Sequence, residues 1–208
     1  MTSAPTVFVV DDDPSVRSSL EFLISTVGLQ VDSFDSAEAF FRRKPPEGPS
    51  CLVLDVRLRG LSGLDFQREL SSRNIRIPIV FITGHGDIPM CARAMKAGAV
   101  EFLTKPFRDQ DLLDAIRIGL ERDQAMRDHD KGLTELQQRF ESLTPREREV
   151  ISMVALGMLN KQIAGQLGTS ENTVKVHRSR AMEKMHAPSV AELVRMLEKL
   201  KDSSPTAA

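Results

Sequence analysis

Short, largely apolar runs alternate with amphipathic stretches through the first 120 residues of the chain. Runs of this length, bounded by polar and turn residues, are typical of strands that are buried on both faces of a sheet. The five runs are Val7–Val10, Leu29–Phe34, Cys51–Leu54, Ile77–Ile82 and Val100–Leu103. Their alternation with helical patterns predicts βα units around a five-stranded parallel sheet.

The stretch after the first run predicts a helix. Between Val16 and Val27, apolar residues recur in steps of three and four, which places one apolar stripe against the sheet. Asp13 followed by Pro14 suits the N-cap and the first helical position. We therefore interpret Asp13 as a helix cap.

From Asp109 to about Phe140 the chain is strongly charged, and its apolar residues fall near heptad positions. Gly119 and Gly132, among other residues, interrupt the apolar stripe and weaken the pattern. A helical linker is therefore favoured over a long coiled coil, although a dimer contact along it remains open.

The remaining segment predicts four helices. Thr144–Glu147 has the cap, the first-turn proline and the glutamate of a capping box. A second helix should run from about Asn160 to Leu167 and stop at Gly168. A third follows that turn, and Ser189 with Glu192 suits the capping box of a fourth. We expect an all-α domain here.

Composition and charge narrow the class of protein. The chain is 41% apolar and 27% charged, which is typical of globular domains, and no apolar run approaches the roughly 18 residues of a membrane span. Cys51 and Cys91 lie in apolar stretches without CxxC spacing, so we interpret both as core thiols in a reducing compartment. These features predict a cytoplasmic protein with no membrane partner. Residues 142–208 carry ten basic against seven acidic residues, which weakly favours a polyanionic partner.

Polar residues follow the apolar runs at the strand ends, where open parallel sheets bind ligands. Asp11 and Asp12 follow the first run, Asp55 the third, Thr83 the fourth and Lys105 the fifth. Three converging carboxylates repel one another unless a cation such as Mg²⁺ lies among them. A carboxylate in such a site can attack phosphorus while a lysine and a hydroxyl neutralise the phosphoryl oxygens, and Asp55 is best placed to do so.

The segments VFVVDDD, LVLDVRLRGLSG, IVFITGHGD and AVEFLTKPF resemble the receiver domain of bacterial response regulators, from residue 5 to about 122. The resemblance implies a flavodoxin-like fold in which a sensor histidine kinase phosphorylates Asp55 in the presence of Mg²⁺. It further implies a set of site residues with separate roles. These are Asp12, Asp55 and the backbone carbonyl of Arg57 as metal ligands, Asp11 as a ligand through water, Thr83 and Lys105 as phosphate-binding groups, and Phe102 as the aromatic switch.

GHGDIPMCARAMKAGA is similar to the FixJ branch of that family. In the family, the face formed by the fourth helix, fifth strand and fifth helix transmits phosphorylation, and here it spans roughly Asp87–Leu120. The phosphoryl charge would shift an equilibrium between two packings. The shift would either expose a dimerisation face or free the DNA-binding domain, and the sequence leaves both open.

The run NKQIAGQLGTSENTVKVHRSRAMEKM reads as a helix-turn-helix. A small internal core is predicted at Ile163, Ala164, Leu167, Val174 and Met182. The second helix is expected to expose Asn172, Thr173, Lys175, His177, Arg178 and Lys184. Basic side chains on such a face neutralise DNA phosphates, and polar ones reach base edges. The alternative is the solvated charged face of an ordinary helix.

LTPREREVI and the helix-turn-helix run are similar to the LuxR-type domain of the NarL/FixJ family, over residues 141 to about 200. The resemblance implies a groove-facing set with a backbone-contacting lysine nearby. The set is Thr173, Lys175, Val176, Arg178 and Lys184, with Lys161 near the DNA backbone. The final helix carries the dimer contact in the family, and Leu193, Val194 and Leu197 suit it. Two recognition helices one DNA turn apart would read an inverted repeat.

The predicted organisation is a receiver domain over 1–122, a helical linker over 123–140, a LuxR-type domain over 141–202 and a disordered tail over 203–208. The expected partners are a sensor histidine kinase, double-stranded promoter DNA, RNA polymerase and, upon phosphorylation or DNA binding, a second copy of the chain. The FixJ likeness favours activation of transcription.

Two other classes of protein fit the sequence less well. A phosphatase or phosphotransferase of the haloacid dehalogenase type needs an aspartate two residues after the nucleophile, and Arg57 stands there. We therefore expect no enzyme activity beyond self-phosphorylation from a phosphodonor and self-dephosphorylation. A scaffold protein that binds partners without DNA leaves the basic terminal segment unexplained.

Overall fold

The computed structural model describes residues 4–84 and 87–203, and the chain divides between Arg127 and Asp128 into two compact units. The first unit contains one parallel sheet with the strand order β2-β1-β3-β4-β5. Its strands are β1 Thr6–Val10, β2 Gln30–Phe34, β3 Ser50–Asp55, β4 Ile79–Thr83 and β5 Glu101–Thr104. The prediction of a five-stranded parallel sheet is confirmed.

Helices cover both faces of this sheet, as a parallel sheet requires. Those of the first unit are α1 Pro14–Thr26, α2 Ala37–Phe41, α3 Gly63–Ser72, α4 Ile88–Lys96 and the start of α5 Asp109–Glu141. Residues of α2, α3 and α4 pack on one face around Phe40, Phe66 and Phe81. Residues of α1 and α5 pack on the other around Ile24 and Ile116.

The parallel register aligns the carboxyl ends of the strands at one edge. Val10 pairs with Leu54, and Thr83 pairs with Thr104. The residues that end these strands or follow them therefore meet at that edge. Asp13 lies just beyond it and caps α1, because its carboxylate accepts the N–H groups of Ser15 and Val16.

The second unit contains α6 Pro145–Ala155, α7 Asn160–Leu167, α8 Glu171–Lys184 and α9 Val190–Ser203, together with the end of α5. The Thr144 capping box is present, and Gly168 ends α7 in the left-handed conformation at φ 61°. Ser189 caps the Glu192 N–H, but the Glu192 carboxylate binds Arg195. The predicted capping box of α9 is therefore only half formed.

The stretch predicted as a linker, 123–140, lies wholly inside α5. Asp123 is buried in the first unit and Leu136 in the second, so each unit packs against its own part of the helix. At the other end of the chain, Ser203 is the last residue of α9, and the rest of the predicted disordered tail, 204–208, lies outside the described residues.

Within 4–84 and 87–203, no helix is long and apolar enough to cross a membrane. Cys51 and Cys91 are both free thiols. Cys51 is fully buried on β3, where burial first and the nearby Asp123 charge second raise the pKa of its thiol to about 12. Cys91 is only half-buried on α4, so its assignment as a core thiol is wrong.

Candidate functional site

Four of the predicted pocket residues meet at the carboxyl edge of the sheet. Asp11 follows β1, Asp55 ends β3 and Thr83 ends β4, and all three are buried. Lys105 follows β5, and its Nζ donates to Asp11 Oδ2 at 3.0 Å and to Asp55 Oδ2 at 2.9 Å. The structure therefore brings two carboxylates, one hydroxyl and one ammonium to adjacent strand ends.

Lys105 is the shared hydrogen-bond donor of two carboxylates in this pocket. Burial raises the pKa of Asp11, although the Asp13 N–H and the Lys105 ammonium partly oppose that effect. Burial alone would lower the pKa of Lys105, but its hydrogen bonds and charge interactions with Asp55 and Asp11 outweigh it and raise the pKa. The site therefore carries an excess of buried negative charge, which a cation would stabilise.

The loop after β3 holds the other oxygen of Asp55. The Arg57 N–H donates to Asp55 Oδ1 at 2.9 Å, and a β-bridge between Arg57 and Ser62 closes the loop. Asp55 is thus fixed by a backbone donor on one oxygen and by Lys105 on the other, which orients its carboxylate.

Asp12 has a partner that the sequence analysis missed. Arg59 Nε donates to Asp12 Oδ2 at 2.8 Å and forms an ion pair with it across the pocket edge. The sequence shows only a basic residue four positions after Asp55, and nothing in its pattern reveals which carboxylate it reaches. The peptide Lys105–Pro106, beside the pocket, is cis.

The oxygen donors at this edge fit a hard divalent cation. The predicted ligands, three carboxylates and the backbone carbonyl of Arg57, are all oxygen donors, which is the chemistry that Mg²⁺ prefers. In the described part of the chain, however, no group of three or more acidic, His or Cys side chains is arranged to hold a metal ion. Asp12 binds Arg59, while Asp11 and Asp55 share Lys105, so the cationic side chains are the partners of all three carboxylates.

Phe102 lies on β5, three residues before Lys105, and is half-buried. Its ring packs beside that of Phe81, with ring centroids 6.1 Å apart and the planes tilted by 42°. Phe102 therefore occupies the edge of the aromatic core, with part of its ring accessible.

In the second unit, α8 exposes a different set of residues from the one that the sequence predicts. Its inward stripe is anchored by Val174 and Ala181, which are fully buried. The opposite face follows helical steps of three and four. That exposed face comprises Asn172, Lys175, Val176, Ser179, Arg180 and Glu183, and Glu171 is exposed in the first turn of the helix. Ser179 and Arg180 were missed, although a helical wheel drawn outward from Lys175 and Val176 would have found them.

Several residues predicted for the exposed face are half-buried instead. His177 and Arg178 lie three and four residues after Val174, on the flank of the inward stripe. Arg178 Nη1 donates to Asn160 Oδ1 at 3.0 Å. His177 Nδ1 is buried and has no hydrogen-bond partner within the described residues. The prediction that both side chains are exposed was wrong, because it was based on their charge and polarity and not on helical phase.

Thr173 and Lys184 are also half-buried. The Thr173 hydroxyl bonds with that of Ser170 at 2.8 Å, at the start of α8. Lys184 Nζ donates to Glu147 Oε2 at 2.7 Å and to the Ser142 carbonyl at 3.4 Å. Lys184 is thus tied to a buried carboxylate of its own domain, and its placement on an open face was wrong.

The predicted core and flanking residues have mixed outcomes. Ile163, Ala164 and Val174 are buried as predicted, while Leu167 and Met182 pack at the core's edge. Lys161 is exposed on α7. Leu193 is fully buried in the same core, so it cannot form a dimer contact, whereas its neighbours Val194 and Leu197 are only half-buried.

Comparisons with known proteins identify the family of each domain. Residues 7–117 match the family described as "Response regulator receiver domain", and residues 141–197 match "Bacterial regulatory proteins, luxR family". The chain belongs to the response regulators. Because its receiver domain implies a histidine kinase partner and its LuxR-type domain implies DNA binding, this response regulator is a transcriptional regulator of a two-component system.

Similar full-length proteins carry the same organisation. The chain is 56% identical to "Nodulation protein W" of Bradyrhizobium diazoefficiens over 93% of its own length and 86% of the relative's. It is 43% identical to "Transcriptional regulatory protein FixJ" of Azorhizobium caulinodans, covering 91% of this chain and 90% of that one. A solved structure of the response regulator StyR matches with a TM-score of 0.86 and 51% identity, covering 95% of this chain and all of that chain. The predicted FixJ-like membership is confirmed.

Proposed function

We propose that this response regulator is a cytoplasmic, phosphorylation-dependent DNA-binding protein whose Asp55 accepts a phosphoryl group from a sensor histidine kinase with Mg²⁺. The observation that carries the proposal is the contact of Lys105 with both Asp55 and Asp11, at strand ends shared with Thr83. Its functional segments are the receiver domain over 1–122, the connecting helix over 123–140 and the LuxR-type domain over 141–202.

The pocket residues have complementary roles in this transfer. A carboxylate oxygen of Asp55 forms a bond to phosphorus while the bond from phosphorus to the donor's histidine nitrogen breaks. Lys105 and the Thr83 hydroxyl bind the phosphoryl oxygens and offset their charge. Mg²⁺, held by Asp12, Asp55 and the Arg57 carbonyl, with Asp11 acting through water, would neutralise the remaining charge. No catalysis on other substrates is proposed beyond self-phosphorylation and self-dephosphorylation.

Labelling by acetyl phosphate tests the nucleophile. With Mg²⁺ present, intact-mass spectrometry should show one added phosphoryl group in the natural protein and none in Asp55→Asn. Asp65→Asn is the matched control. Asp65 is an exposed carboxylate near the same loop, and it pairs with Arg68. Retained stoichiometric labelling of Asp55→Asn would refute the assignment.

Exposed apolar side chains support a dimer contact on the α4-β5-α5 face. Ile88 is 86% exposed, and Met95, one heptad later on α4, and Ile118 on α5 are also exposed. Phosphorylation would promote dimerisation there, with Phe102 turning inward as Thr83 moves toward the phosphate. The dimer would bind promoter DNA, contact RNA polymerase and activate transcription. A sedimentation profile indifferent to phosphorylation would support release of the DNA-binding domain instead.

The exposed face of α8 is the proposed DNA-reading surface. Lys175, Val176 and Arg180 would enter the major groove with Asn172 and Ser179, and Lys161 would contact the DNA backbone. Thr173, His177 and Arg178 would contribute from the flank of the helix, and Lys184 would mainly hold α8 to α6 through Glu147.

Binding to a random DNA duplex, measured by anisotropy at two salt concentrations, tests this surface. Lys175→Ala should weaken binding about tenfold and reduce the salt slope by about one unit, because one phosphate contact is lost. Lys199→Ala on α9 is the charge-matched control and should change binding little. Unchanged affinity of Lys175→Ala would count against the surface.

A further inference from the structure

Arg59 pairs with a carboxylate that the proposed metal site requires. Its Nε contacts Asp12 Oδ2 at 2.8 Å, and Asp12 keeps 24% of its side chain exposed. Asp11 and Asp55, by contrast, share the half-buried Lys105. The pocket thus has two cationic partners of different kinds, one enclosed within it and one reaching in from solvent.

The conformation of the loop that carries Arg59 places this residue next to Asp12. The β-bridge between Arg57 and Ser62 closes the loop, and Gly60 turns the chain at φ +87°, a conformation that glycine adopts without strain. The Asp55 carboxylate holds the loop's first residue through the Arg57 N–H. Arg59, at the tip, is therefore placed next to Asp12 by the same loop that orients Asp55.

We propose that Arg59 and the divalent cation compete for the carboxylate of Asp12. Arg59 thereby weakens metal binding and regulates it. The inference rests on the proposed function, which assigns Asp12 to the metal site. The Arg59 side chain is 86% exposed, so its guanidinium can leave the pocket and be hydrated with little loss. A divalent ion takes its place at Asp12, while Lys105 stays to receive the phosphoryl group.

The competition predicts a modest change in metal affinity. Removal of a solvent-exposed ion pair should tighten binding by about two- to fivefold, the range such pairs allow. Mn²⁺ is a suitable probe, because the electron paramagnetic resonance signal of the free ion reports binding directly. We expect Arg59→Gln to bind Mn²⁺ about two- to fivefold more tightly than the natural full-length protein. Arg68→Gln, which removes an equal charge from a pair with Asp65 on α3, should leave the affinity unchanged.

A double-mutant cycle separates direct competition from a general charge effect. In the Asp12→Asn background, where Arg59 has lost its anionic partner, Arg59→Gln should no longer tighten binding. Equal tightening in both backgrounds would overturn the proposal, since the effect would then come from charge at a distance. No tightening in either background would overturn it as well, provided that Asp12→Asn itself weakens binding.

Two further measurements complete the test. If Asp12→Asn and Asp55→Asn both bind Mn²⁺ as the natural protein does, the metal site is elsewhere and the proposed function fails first. The ¹⁵N–¹H signal of Arg59 Nε gives an independent readout. Added Mg²⁺ should move it to the position seen in Asp12→Asn, and a signal that does not respond to saturating Mg²⁺ would contradict displacement.

Discussion

The buried carboxylates at the two edges of the receiver sheet differ in whether they share their hydrogen-bond donors. At the carboxyl edge, Asp11 and Asp55 share one lysine. At the amino edge, Asp123 alone accepts from the Ser50 N–H at 2.7 Å, the Ser50 hydroxyl at 3.2 Å and Arg127 Nε at 2.7 Å. A carboxylate that shares none of its hydrogen-bond donors stabilises the fold. Carboxylates that share one cation can still bind another ligand.

Glu147 in the second unit follows the pattern of Asp123. It is buried and accepts from Lys184 Nζ and from the Thr144 N–H at 2.9 Å. The hydrogen bond from Lys184 is the main cause that lowers the pKa of Glu147. Both fixed carboxylates therefore join elements within their own unit, Asp123 joining α5 to β3 and Glu147 joining α6 to α8.

Asp123→Ala is expected to have the largest effect on stability. It leaves the Ser50 donors and Arg127 without their acceptor, so we expect the receiver domain to lose about 2–4 kcal/mol of stability. Hydrogen exchange of the β3 amides under increasing urea in the full chain measures the loss. Glu121→Ala, two residues earlier on the same helix, removes only an exposed pair with Arg117 and should cost under about 0.5 kcal/mol. A similar loss of stability in both variants would show that Asp123 contributes no more than an exposed charge.

Gly119→Ala probes how closely α5 packs on β3 at the amino edge. The added Cβ would lie 2.5 Å from Cys51 Sγ and 3.3 Å from Cys51 Cβ. We expect a net cost of about 1–3 kcal/mol in the same exchange measurement, because the contact is overpacked.

Gly132→Ala is the control on the same helix, since its Cβ would have no neighbour within 4 Å. It should stabilise the helix by about 0.5–1 kcal/mol through propensity alone. Cys51→Ala should reduce the cost of Gly119→Ala by providing room. A stabilising Gly119→Ala would show that α5 can move away from β3 freely.

The smallest expected effect is a pH dependence in the second unit. Because the folded pKa of Glu147 is lowered, its contribution is full above the unfolded pKa of about 4.5 and is lost as pH falls through the folded pKa. Glu147→Gln should cost about 1 kcal/mol at pH 7, and this cost should shrink below about pH 4. Exchange protection of the α6 amides, compared with the natural protein at each pH, measures it.

Glu149→Gln is the control for that dependence, because Glu149 forms an exposed pair with Arg146. It should change the acid slope little. A Glu147→Gln variant with the same acid slope as the natural protein would remove Glu147 from the class of fixed carboxylates.

The amino-acid sequence alone determined the sheet, the helix caps at Asp13 and Thr144 and the order of the pocket residues. Strand ends such as Asp55 and Thr83 could be predicted because a parallel sheet places every carboxyl end at one edge. The αL stop at Gly168 and the cap at Thr144 are local effects, so they too followed from neighbouring residues.

The tertiary structure alone decided which charges pair. Arg59 with Asp12, Asp123 with Ser50 and Lys184 with Glu147 join residues 47, 73 and 37 positions apart. Long flexible side chains reach several partners from one backbone position, so sequence spacing does not select among them. The depth at which His177 and Arg178 are buried was decided in the same way, because it depends on how closely α8 packs on α6 and α7.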